Sequence, residues 1–410
     1  MILFVESPLT GSGLTALGWA VDHGLDAALV TTNPAKYDGM PGADVLAELA
    51  RRERLFVVAT TEGETLPGEL VTALRDDDGP PAVVCATDRH LLFAAVLAEA
   101  VGAPFAPVET VRTLRDKRCA RELYEELGIA SPRWTEPRTA EELAAFVTAS
   151  GAPVVLKNCR GTGSLDVLLC RTPHEAATAF RTLSAAGRYL DGELMAEVYV
   201  NGPLYSLETL VADGRCRHLG VTDRQLGPRP SFCEVSYTFP VEVPPEAEAR
   251  MRKAVETLVA ATDFTQGMLH TEFVLTDDAA VVVEVNARMG GGLLSSMMSD
   301  CLSVSVPELL CTAALGRPVP EPVRTGDHSS TVTVYASEAG RLLRVDGLDR
   351  AAHAAHVVQV ATTAAPGDEV RAAGDYRGSV CQVRTRAGSS NLALNAALAA
   401  ARDLTVRITG

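Results

Sequence analysis

The chain has 410 residues, 47% of them hydrophobic and 22% charged, which is ordinary for a globular protein of two to four domains. Its formal net charge of −15 argues against nucleic acid as a partner, although local cations can still meet a polyphosphate. The nine cysteines occur singly, and the sequence has no basic leader and no apolar run of about 18 residues. We therefore expect a cytoplasmic protein with reduced thiols and no membrane contact.

Residues 1 to about 112 alternate strand patterns with helix patterns, which predicts an open parallel α/β sheet. The predicted strands are Ile2–Val5, Ala27–Thr32, Leu55–Ala59 and Ala82–Ala86, with helices at Leu14–His23 and Leu66–Arg75. The first turn, Gly11-Ser12-Gly13-Leu14-Thr15-Ala16, matches the G-x-G-x-x-G/A pattern of dinucleotide-binding folds. NAD(P) binding is nevertheless disfavoured, because the glycines come several residues after the strand and the second strand lacks the acidic residue that holds a ribose. A turn that shapes a helix start near a substrate site explains the pattern better.

A lysine-containing helix and a glycine-rich loop characterise the next stretch. A helix is predicted to open at Leu114-Arg115-Asp116-Lys117 and to end at Leu127, and a second one covers Thr139–Ser150. The strand Pro153–Lys157 then ends in a lysine, and the loop after it contains Gly161, Gly163 and Ser164. Such a loop can hold a phosphate through backbone N–H groups and one ammonium, although it lacks the spacing of a P-loop. A hairpin turn with an exposed lysine is the alternative.

The middle of the chain reads as strands followed by a loop and two helices. The predicted elements are strands at Leu194–Val200, Leu204–Val211 and His218–Val221, a loop at Pro228–Pro240, and helices at Pro245–Thr262 and Val304–Leu315. Residues 316–326 contain three prolines and form the clearest linker. Residues 327–410 then read as a small α/β tail with a last helix at Asn391–Arg402.

Two neighbouring strands, Gly267–Leu275 and Ala280–Val285, carry acidic side chains inside apolar runs. Strand side chains alternate between faces, so His270 shares a face with Glu272, and Glu284 shares one with Asn286. If the strands pair, these oxygens converge and suit a hard cation such as Mg²⁺. The alternative is a solvated strand pair with scattered charges, which the surrounding apolar residues disfavour.

Taken together and in this order, the motifs resemble those of the ATP-grasp superfamily. The resemblance covers the whole chain and is strongest from residue 113 to about 315. The matching segments are Asp116-Lys117, Val155-Leu156-Lys157 with its glycine-rich loop, Glu197–Gly202, Ser206-Leu207-Glu208, His270-Thr271-Glu272 and Glu284–Arg288. Within the superfamily, Thr222-Asp223-Arg224, Phe232-Cys233-Glu234 and Arg288–Gly291 look most like the carboxylate–amine ligases, which include the bacterial L-amino acid ligases that make dipeptides.

The resemblance implies an α/β fold in three parts. These are an N-terminal Rossmann-like pre-ATP-grasp domain at 1–112, an ATP-grasp domain at 113–320 and a small C-terminal α/β domain at 327–410. A glycine-rich lid subdomain is expected at about 130–197. We also expect the chain to form a homodimer.

The resemblance also implies roles for individual residues. The expected ATP-binding residues are Lys117, Lys157, Gly161, Gly163, Ser164, Glu197, Tyr199, Val200 and Glu208, with adenine at the hinge 197–200. Glu272, Glu284 and Asn286 would hold Mg²⁺, with Mn²⁺ as an alternative ion. Arg288 would stabilise the acyl phosphate and its tetrahedral adduct, and Arg288 and Lys157 are the expected catalytic residues.

The implied substrates are a small carboxylic acid and an amine such as an amino acid, joined with release of ADP and phosphate, often in secondary metabolism. The substrate-binding residues would be Glu234, Tyr237, His270, Arg288, Gly290 and Gly291. In the amino acid ligases a Gly-His pair usually follows the loop glutamate, whereas this chain has Ser236 and Tyr237 there. The three glycines after Met289 are interpreted as room for a substrate.

Other function classes remain open at this point. One is a different ATP-grasp chemistry, such as biotin carboxylase-like carboxylation or a purine-pathway ligation. Another is a nucleotide-binding protein that has lost catalysis, which the presence of both lysines and of all three expected metal ligands disfavours.

Overall fold

The structure is a computed structural model that describes residues 1–9, 13–75, 77, 79–185, 193–229, 232–374 and 376–409. Within those ranges the strands form four sheets. No helix in the described ranges has both the length and the apolar character that crossing a bilayer would require.

The N-terminal part is a parallel α/β sheet with the strand order β3-β2-β1-β4. Its elements are β1 Ile2–Val5, α1 Thr15–Asp22, β2 Ala27–Thr31, α2 Val45–Arg51, β3 Leu55–Val57, α3 Gly68–Arg75, β4 Ala82–Val84 and α4 Asp88–Val101. Strands β1 and β2 are buried along their whole length, because α1 and α2 cover one face and α3 and α4 cover the other. The predicted Rossmann-like sheet is confirmed. Gly11 and Ser12 of the glycine motif lie outside the described residues.

A buried carboxylate ties the carboxyl ends of these strands together. Glu6, directly after β1, accepts hydrogen bonds from the hydroxyl groups of Thr31 (2.8 Å), Tyr37 (2.6 Å) and Thr61 (3.0 Å). Lys36 adds an ion pair at 2.7 Å. Burial opposes ionisation, but the bonds from Lys36 and Tyr37 outweigh it and lower the pKa of Glu6 to about 2.

Two helices connect the N-terminal sheet to the rest of the chain, α5 Val108–Arg115 and α6 Lys117–Glu126. The prediction of a single helix that opens at Leu114 is therefore wrong. Asp116 has extended backbone angles and its side chain accepts a hydrogen bond from the N–H of Arg118, so it caps a new helix. This places Lys117 at the first position of α6.

A small antiparallel sheet with the order β5-β8-β6-β7 follows. Its elements are β5 Trp134–Thr135, α7 Ala140–Ser150, β6 Val154–Asn158, β7 Leu168–Cys170, α8 Pro173–Ala185 and β8 Leu194–Val198. Helices α7 and α8 pack together over one face through residues such as Leu143, Val147 and Leu183. The other face carries Lys157 and Glu197.

The largest sheet has eight strands, in the order β13-β12-β9-β10-β11-β14-β18-β16. Its first part consists of β9 Leu204–Ala212, β10 Arg215–Leu226, β11 Glu234–Val241, α9 Pro245–Ala261, β12 Gly267–Leu275, β13 Ala280–Asn286, α10 Leu294–Cys301 and α11 Val306–Ala314. One face of β9, β12 and β13 packs on α9 through Leu207, Leu269 and Val285. Alternation then turns the intervening polar side chains towards the opposite face.

The predicted loop at Pro228–Pro240 is only partly a loop. Residues from Glu234 onward form β11, which pairs with β10 on one side. Pro230 and Ser231 lie outside the described residues. Val235, Tyr237 and Phe239 alternate along this strand, and the proline content of the segment obscured that pattern.

The C-terminal part continues the large sheet. Its elements are β14 His328–Tyr335, β15 Gly340–Asp346, α12 Leu348–Ala352, β16 Val357–Thr362, β17 Glu369–Val370, β18 Ser379–Ala387, α13 Ser390–Arg402 and β19 Thr405–Thr409. Strand β14 pairs antiparallel with β11 from Ser236↔Val332 to Phe239↔Ser329, and β18 pairs with β14. Strands β17, β15 and β19 form a separate small sheet. The C-terminal part is therefore joined to the centre of the molecule by backbone hydrogen bonds.

Candidate active site

A cavity of about 890 Å³ lies where the small sheet, the large sheet and the C-terminal part meet. Lys157 and Glu197 line it from the small sheet, and Glu272 and Glu284 line it from the large sheet. A cavity of this size is in the range of small-molecule sites, and it concentrates opposite charges along its walls.

The acidic strand pair has the predicted register. Strands β12 and β13 run antiparallel with Glu272 opposite Glu284 and His270 opposite Asn286. A register shift follows directly after Glu272, so Phe273 pairs with Val282. All four polar side chains line the cavity, as the alternation predicted.

These oxygen donors suit a hard divalent cation. Within the described part of the chain no three His, Cys, Asp or Glu side chains group as a metal site. Two carboxylates, Glu272 and Glu284, and the side-chain oxygen of Asn286 nevertheless share one face of one strand pair. Oxygen-only donors that leave positions for water and phosphate fit Mg²⁺ better than Zn²⁺.

Lys117 connects the acidic strands to the glycine-rich loop. Its ammonium lies 3.0 Å from a carboxylate oxygen of Glu284 and donates to the carbonyl of Gly161 at 2.6 Å. The backbone N–H of Lys117 also donates to the carbonyl of Cys159. The first turn of α6 therefore supports the root of this loop beside the acidic pair.

Lys157 belongs to a buried charge cluster. Its ammonium lies 2.6 Å from Oε2 of Glu197, and Nη2 of Arg121 lies 2.8 Å from Oε1 of the same carboxylate. Arg121 and Glu197 meet as an ion pair rather than as a well-oriented hydrogen bond. Burial lowers the pKa of Lys157, while the carboxylate of Glu197 opposes that shift. The carboxylate expected to meet adenine is thus already held by two cations.

The rest of the predicted nucleotide region also faces the cavity. Gly161, Gly163, Ser164, Tyr199 and Val200 all line it. The hydroxyl of Ser164 donates to the carbonyl of Phe232 at 2.9 Å, so the glycine-rich loop contacts the loop before β11. Arg229 donates to the hydroxyl of Tyr199 at 2.7 Å and lies 4.2 Å from the ring centre of Phe232.

Glu208 does not line the cavity but lies behind it. It is fully buried, and it accepts hydrogen bonds from Ser206 at 2.7 Å, Thr222 at 3.2 Å and Nδ1 of His270 at 2.9 Å. Burial opposes protonation of His270, but the carboxylate of Glu208 outweighs it and raises the pKa of the ring to about 9. Glu208 therefore fixes the orientation of His270.

Arg224 is at the centre of a second charge cluster. Its Nη1 lies 2.8 Å from Nε2 of His270. Its Nη2 pairs with Glu234 and lies 3.5 Å from Glu272. Burial raises the pKa of the Glu234 carboxyl, and Arg224 only partly offsets this. Burial acts in the same direction on Glu272, but there Arg224 and His270 lower the pKa below its usual value.

Arg288 points back towards the N-terminal sheet. One terminal nitrogen pairs with Asp88, the first residue of α4, and the other donates to the carbonyl of Met289 at 2.6 Å. Arg288 and Asp88 both line the cavity.

The glycines after Met289 differ in what they face. A Cβ atom at Gly290 would collide with Cδ2 of Leu294 and would lie 2.9 Å from Nδ1 of His270, so these two side chains already fill the expected space. A Cβ atom at Gly291 would meet no other side chain or backbone atom within 4 Å, and Gly291 does line the cavity. At Gly292, where φ is +63°, a Cβ atom would lie 2.6 Å from the hydroxyl of Tyr237. The interpretation as substrate room is wrong for Gly290.

Tyr237 is held by backbone contacts at the end of the cavity. Its hydroxyl accepts a hydrogen bond from the N–H of Leu293 at 2.9 Å. Burial raises the pKa of this phenol to about 12, so it stays neutral. Tyr237 lines the same region as Glu234, His270 and Gly291.

The sequence analysis missed several lining residues. Asp88, Arg224 and the C-terminal residues Thr333, Arg377 and Gln382 all line the cavity. Arg224 lies in a segment that resembles the carboxylate–amine ligases, and this resemblance could have identified it as a site residue. Asp88 lies 200 residues before its partner Arg288, and no local pattern connects the two.

Two family models match separate parts of the chain. Residues 150–297 match the ATP-grasp domain, and residues 332–409 match the L-amino acid ligase C-terminal domain 2. These matches cover strands β6, β7 and β8 of the small sheet, the acidic strand pair and most of the C-terminal part.

Similar proteins agree with these matches. Carnosine synthase 1 of Gallus gallus is 26% identical over 287 residues, covering 65% of this chain and 30% of that protein. Alanine–anticapsin ligase of Bacillus subtilis is 23% identical over 269 residues, covering 59% of this chain and 56% of that protein. The chain thus spans between about a third and just over half of the length of these two relatives.

A solved structure shows the same fold over the whole chain. The L-amino acid ligase from Bacillus licheniformis superposes with a TM-score of 0.79 at 20% identity, covering 100% of this chain and 98% of that one. The predicted fold class and the family resemblance are confirmed. The chain therefore carries a match to the ATP-grasp domain and a match to the L-amino acid ligase C-terminal domain 2, and its fold is like that of a solved L-amino acid ligase.

Proposed function

We propose that this chain joins a small carboxylic acid to an amine, such as an amino acid, through an acyl phosphate made from ATP. The observation that carries the proposal is the single cavity of about 890 Å³ that holds two acidic strands, two lysines and Arg288. Such a site can neutralise phosphate charge and align reactants, and these are the main requirements of phosphoryl and acyl transfer.

The lysines and Arg288 serve the first step. An oxygen of the substrate carboxylate attacks the terminal phosphorus of ATP, and ADP leaves. Lys117 and Lys157 neutralise the phosphates, and Arg288 holds the attacking carboxylate in reach of the terminal phosphate. Glu272, Glu284 and Asn286 would hold Mg²⁺, which would supply further neutralisation of the phosphate charge.

Glu234 serves the second step. The amine attacks the acyl carbon, the C–N bond forms, and phosphate leaves as the bond to the acyl oxygen breaks. The ammonium form of the amine must first lose a proton. A carboxylate whose pKa burial raises, as at Glu234, is suited to accept one. Arg288 then stabilises the negative oxygen of the tetrahedral adduct.

We further propose that the substrates are amino acids or similar small acids and that the product belongs to secondary metabolism. Similarity to alanine–anticapsin ligase, whose name describes the joining of alanine to anticapsin, supports this choice. The polar wall formed by Thr333, Gln382 and Arg377 favours a substrate with a polar side chain.

A screen of acid and amine pairs tests the proposal. The protein is incubated with MgATP, an ¹⁸O-labelled carboxylic acid and an amino acid, and ADP, phosphate and amide are measured. We expect the amide together with ADP, and one ¹⁸O atom transferred to the released phosphate. AMP with pyrophosphate, or phosphate without ¹⁸O, would refute the acyl-phosphate route. Fixation of labelled bicarbonate in place of amide formation would instead indicate a carboxylase-like reaction.

A further inference from the structure

The ion pair between Asp88 and Arg288 engages a side chain that the proposed reaction needs. One terminal nitrogen of Arg288 is bound to Asp88 and the other to the carbonyl of Met289. An incoming carboxylate or phosphate at Nη2 of Arg288 must therefore compete with the carboxylate of Asp88, which carries a charge of the same sign. The side chains of both partners are less than a fifth exposed, at 15% for Arg288 and 17% for Asp88.

A carboxylate in such a position needs a replacement partner when it leaves. An unpaired charge that is largely removed from water is costly, because neither solvent nor a counter-ion compensates it. If Asp88 released Arg288 without finding another partner, that cost would make the free energy of anion binding less favourable. The structure offers a second cation at a small cavity that Asp88 also lines.

That cation is Arg115, the last residue of α5. It is half-buried, and within the described part of the chain its side chain makes no hydrogen bond or ion pair. Arg115 and Asp88 line the same small cavity of about 20 Å³, next to Lys117 and Asn286. Burial lowers the pKa of Arg115, and the charge of Asp88 opposes that shift, which indicates that the two groups act on each other.

We infer that Asp88 exchanges between two arginines, pairing with Arg288 in the empty site and with Arg115 when an anion occupies Arg288. The inference rests on the proposed function, in which Arg288 binds a carboxylate or phosphate. The exchange replaces one ion pair by another, so no half-buried carboxylate is left without a partner. Asp88 and Arg115 are then positioning residues, because they act through Arg288.

A second possible role for Arg115, direct binding of phosphate, would give a different result in mutagenesis. Its guanidinium could bind the phosphate itself, since its small cavity shares residues such as Lys117 and Asn286 with the large one. In that case the effect of Arg115 would not depend on Asp88. In the exchange, Arg115 affects phosphate binding only when residue 88 is a charged aspartate that has to leave Arg288.

The test is a double-variant cycle with inorganic phosphate as the probe. The full chain is saturated with MgADP, and phosphate is titrated by calorimetry into wild type, Arg115→Gln, Asp88→Asn and the double variant. Arg112→Gln, on the same helix but paired with the exposed Glu64, is the matched control. Thermal unfolding of each variant checks that it is folded.

We expect Arg115→Gln to weaken phosphate binding about tenfold or more, because the other cations of the small cavity, Lys117 and Arg160, are already paired with Glu284 and Asp116. Asp88→Asn should tighten binding, the double variant should behave like Asp88→Asn, and Arg112→Gln should match wild type. Equal weakening by Arg115→Gln in both backgrounds would overturn the exchange in favour of direct phosphate binding. Weaker binding in Asp88→Asn would also overturn it.

Two further results keep this inference separate from the proposed function. If MgADP binds but phosphate does not bind to wild type, Arg288 is not an anion site and the exchange is refuted. If the cycle gives the expected pattern but no acid and amine pair yields an amide, the exchange stands and the proposed ligase activity fails.

Discussion

Replacing Lys157 should separate nucleotide binding from folding, because Glu197 has a second cation. In Lys157→Met the buried carboxylate keeps Arg121 at 2.8 Å, so we expect a loss of only about 1 kcal/mol of unfolding free energy. In Glu197→Gln two buried cations lose their common counter-ion, and the expected loss is about 3–5 kcal/mol. Methionine retains most of the side-chain volume, which avoids the cavity that alanine would leave.

The same substitution should weaken nucleotide binding strongly. A hydrogen bond to a charged group contributes about 1.5–3 kcal/mol, which corresponds to a loss of about tenfold to 150-fold in affinity. Calorimetric titration with a non-hydrolysable ATP analogue and Mg²⁺ measures the affinity, and urea unfolding measures the stability. Lys253→Met, at an exposed position on α9, is the control and should change neither quantity.

One result would refute this reasoning. If Lys157→Met lost as much stability as Glu197→Gln and bound the analogue with unchanged affinity, Lys157 would be a structural counter-ion and not a phosphate ligand.

Three further predictions concern the acidic strands, the substrate end and the N-terminal sheet. Glu284→Gln should lower turnover at least about 100-fold through weaker Mg²⁺ binding while circular dichroism stays unchanged; near-normal turnover at ordinary Mg²⁺ would contradict the metal assignment. Tyr237→His and Glu234→Ala should change the preferred acid or amine in a substrate panel without changing the ATP KM; an unchanged preference in both would move selectivity elsewhere. Because the pKa of Glu6 is lowered to about 2, the stability it contributes is present above about pH 4.5 and is lost as the pH falls through about 2. Glu6→Gln should therefore flatten acid unfolding between about pH 5 and pH 2, where wild type loses about 3 kcal/mol, and an unchanged acid profile would refute that assignment.

The sequence predicted those parts of the site whose geometry is local. Strand alternation alone placed Glu272, Glu284 and Asn286 on one face, because a period of two leaves no freedom once the strands pair. The position of Lys157 at the end of a buried strand also followed from a local pattern. The parallel N-terminal sheet was readable because its strands are short apolar runs between helices.

The parts that could not be predicted depend on contacts between distant segments. Asp88 meets Arg288 across 200 residues, and Arg121 reaches Glu197 from a helix whose own periodicity gives no hint of a buried charge. Glu208 was expected at the nucleotide because its strand matches the family motif. The structure shows that its carboxylate is used by His270 instead, and only the packing of β9 against β12 decides that.

The pairing of β11 with β14 has a consequence for how such enzymes can be recombined. The proline-rich stretch at 316–326 looks like a convenient junction for exchanging C-terminal parts between relatives. Cutting there would leave the edge of β11 unpaired from Ser236 to Phe239, and an exposed edge of that kind invites aggregation. A chimera would therefore have to reproduce the register Ser236↔Val332 and the flanking side chains. A search for C-terminal parts that change the substrate side of the cavity must therefore also select for a β14 strand that pairs with β11.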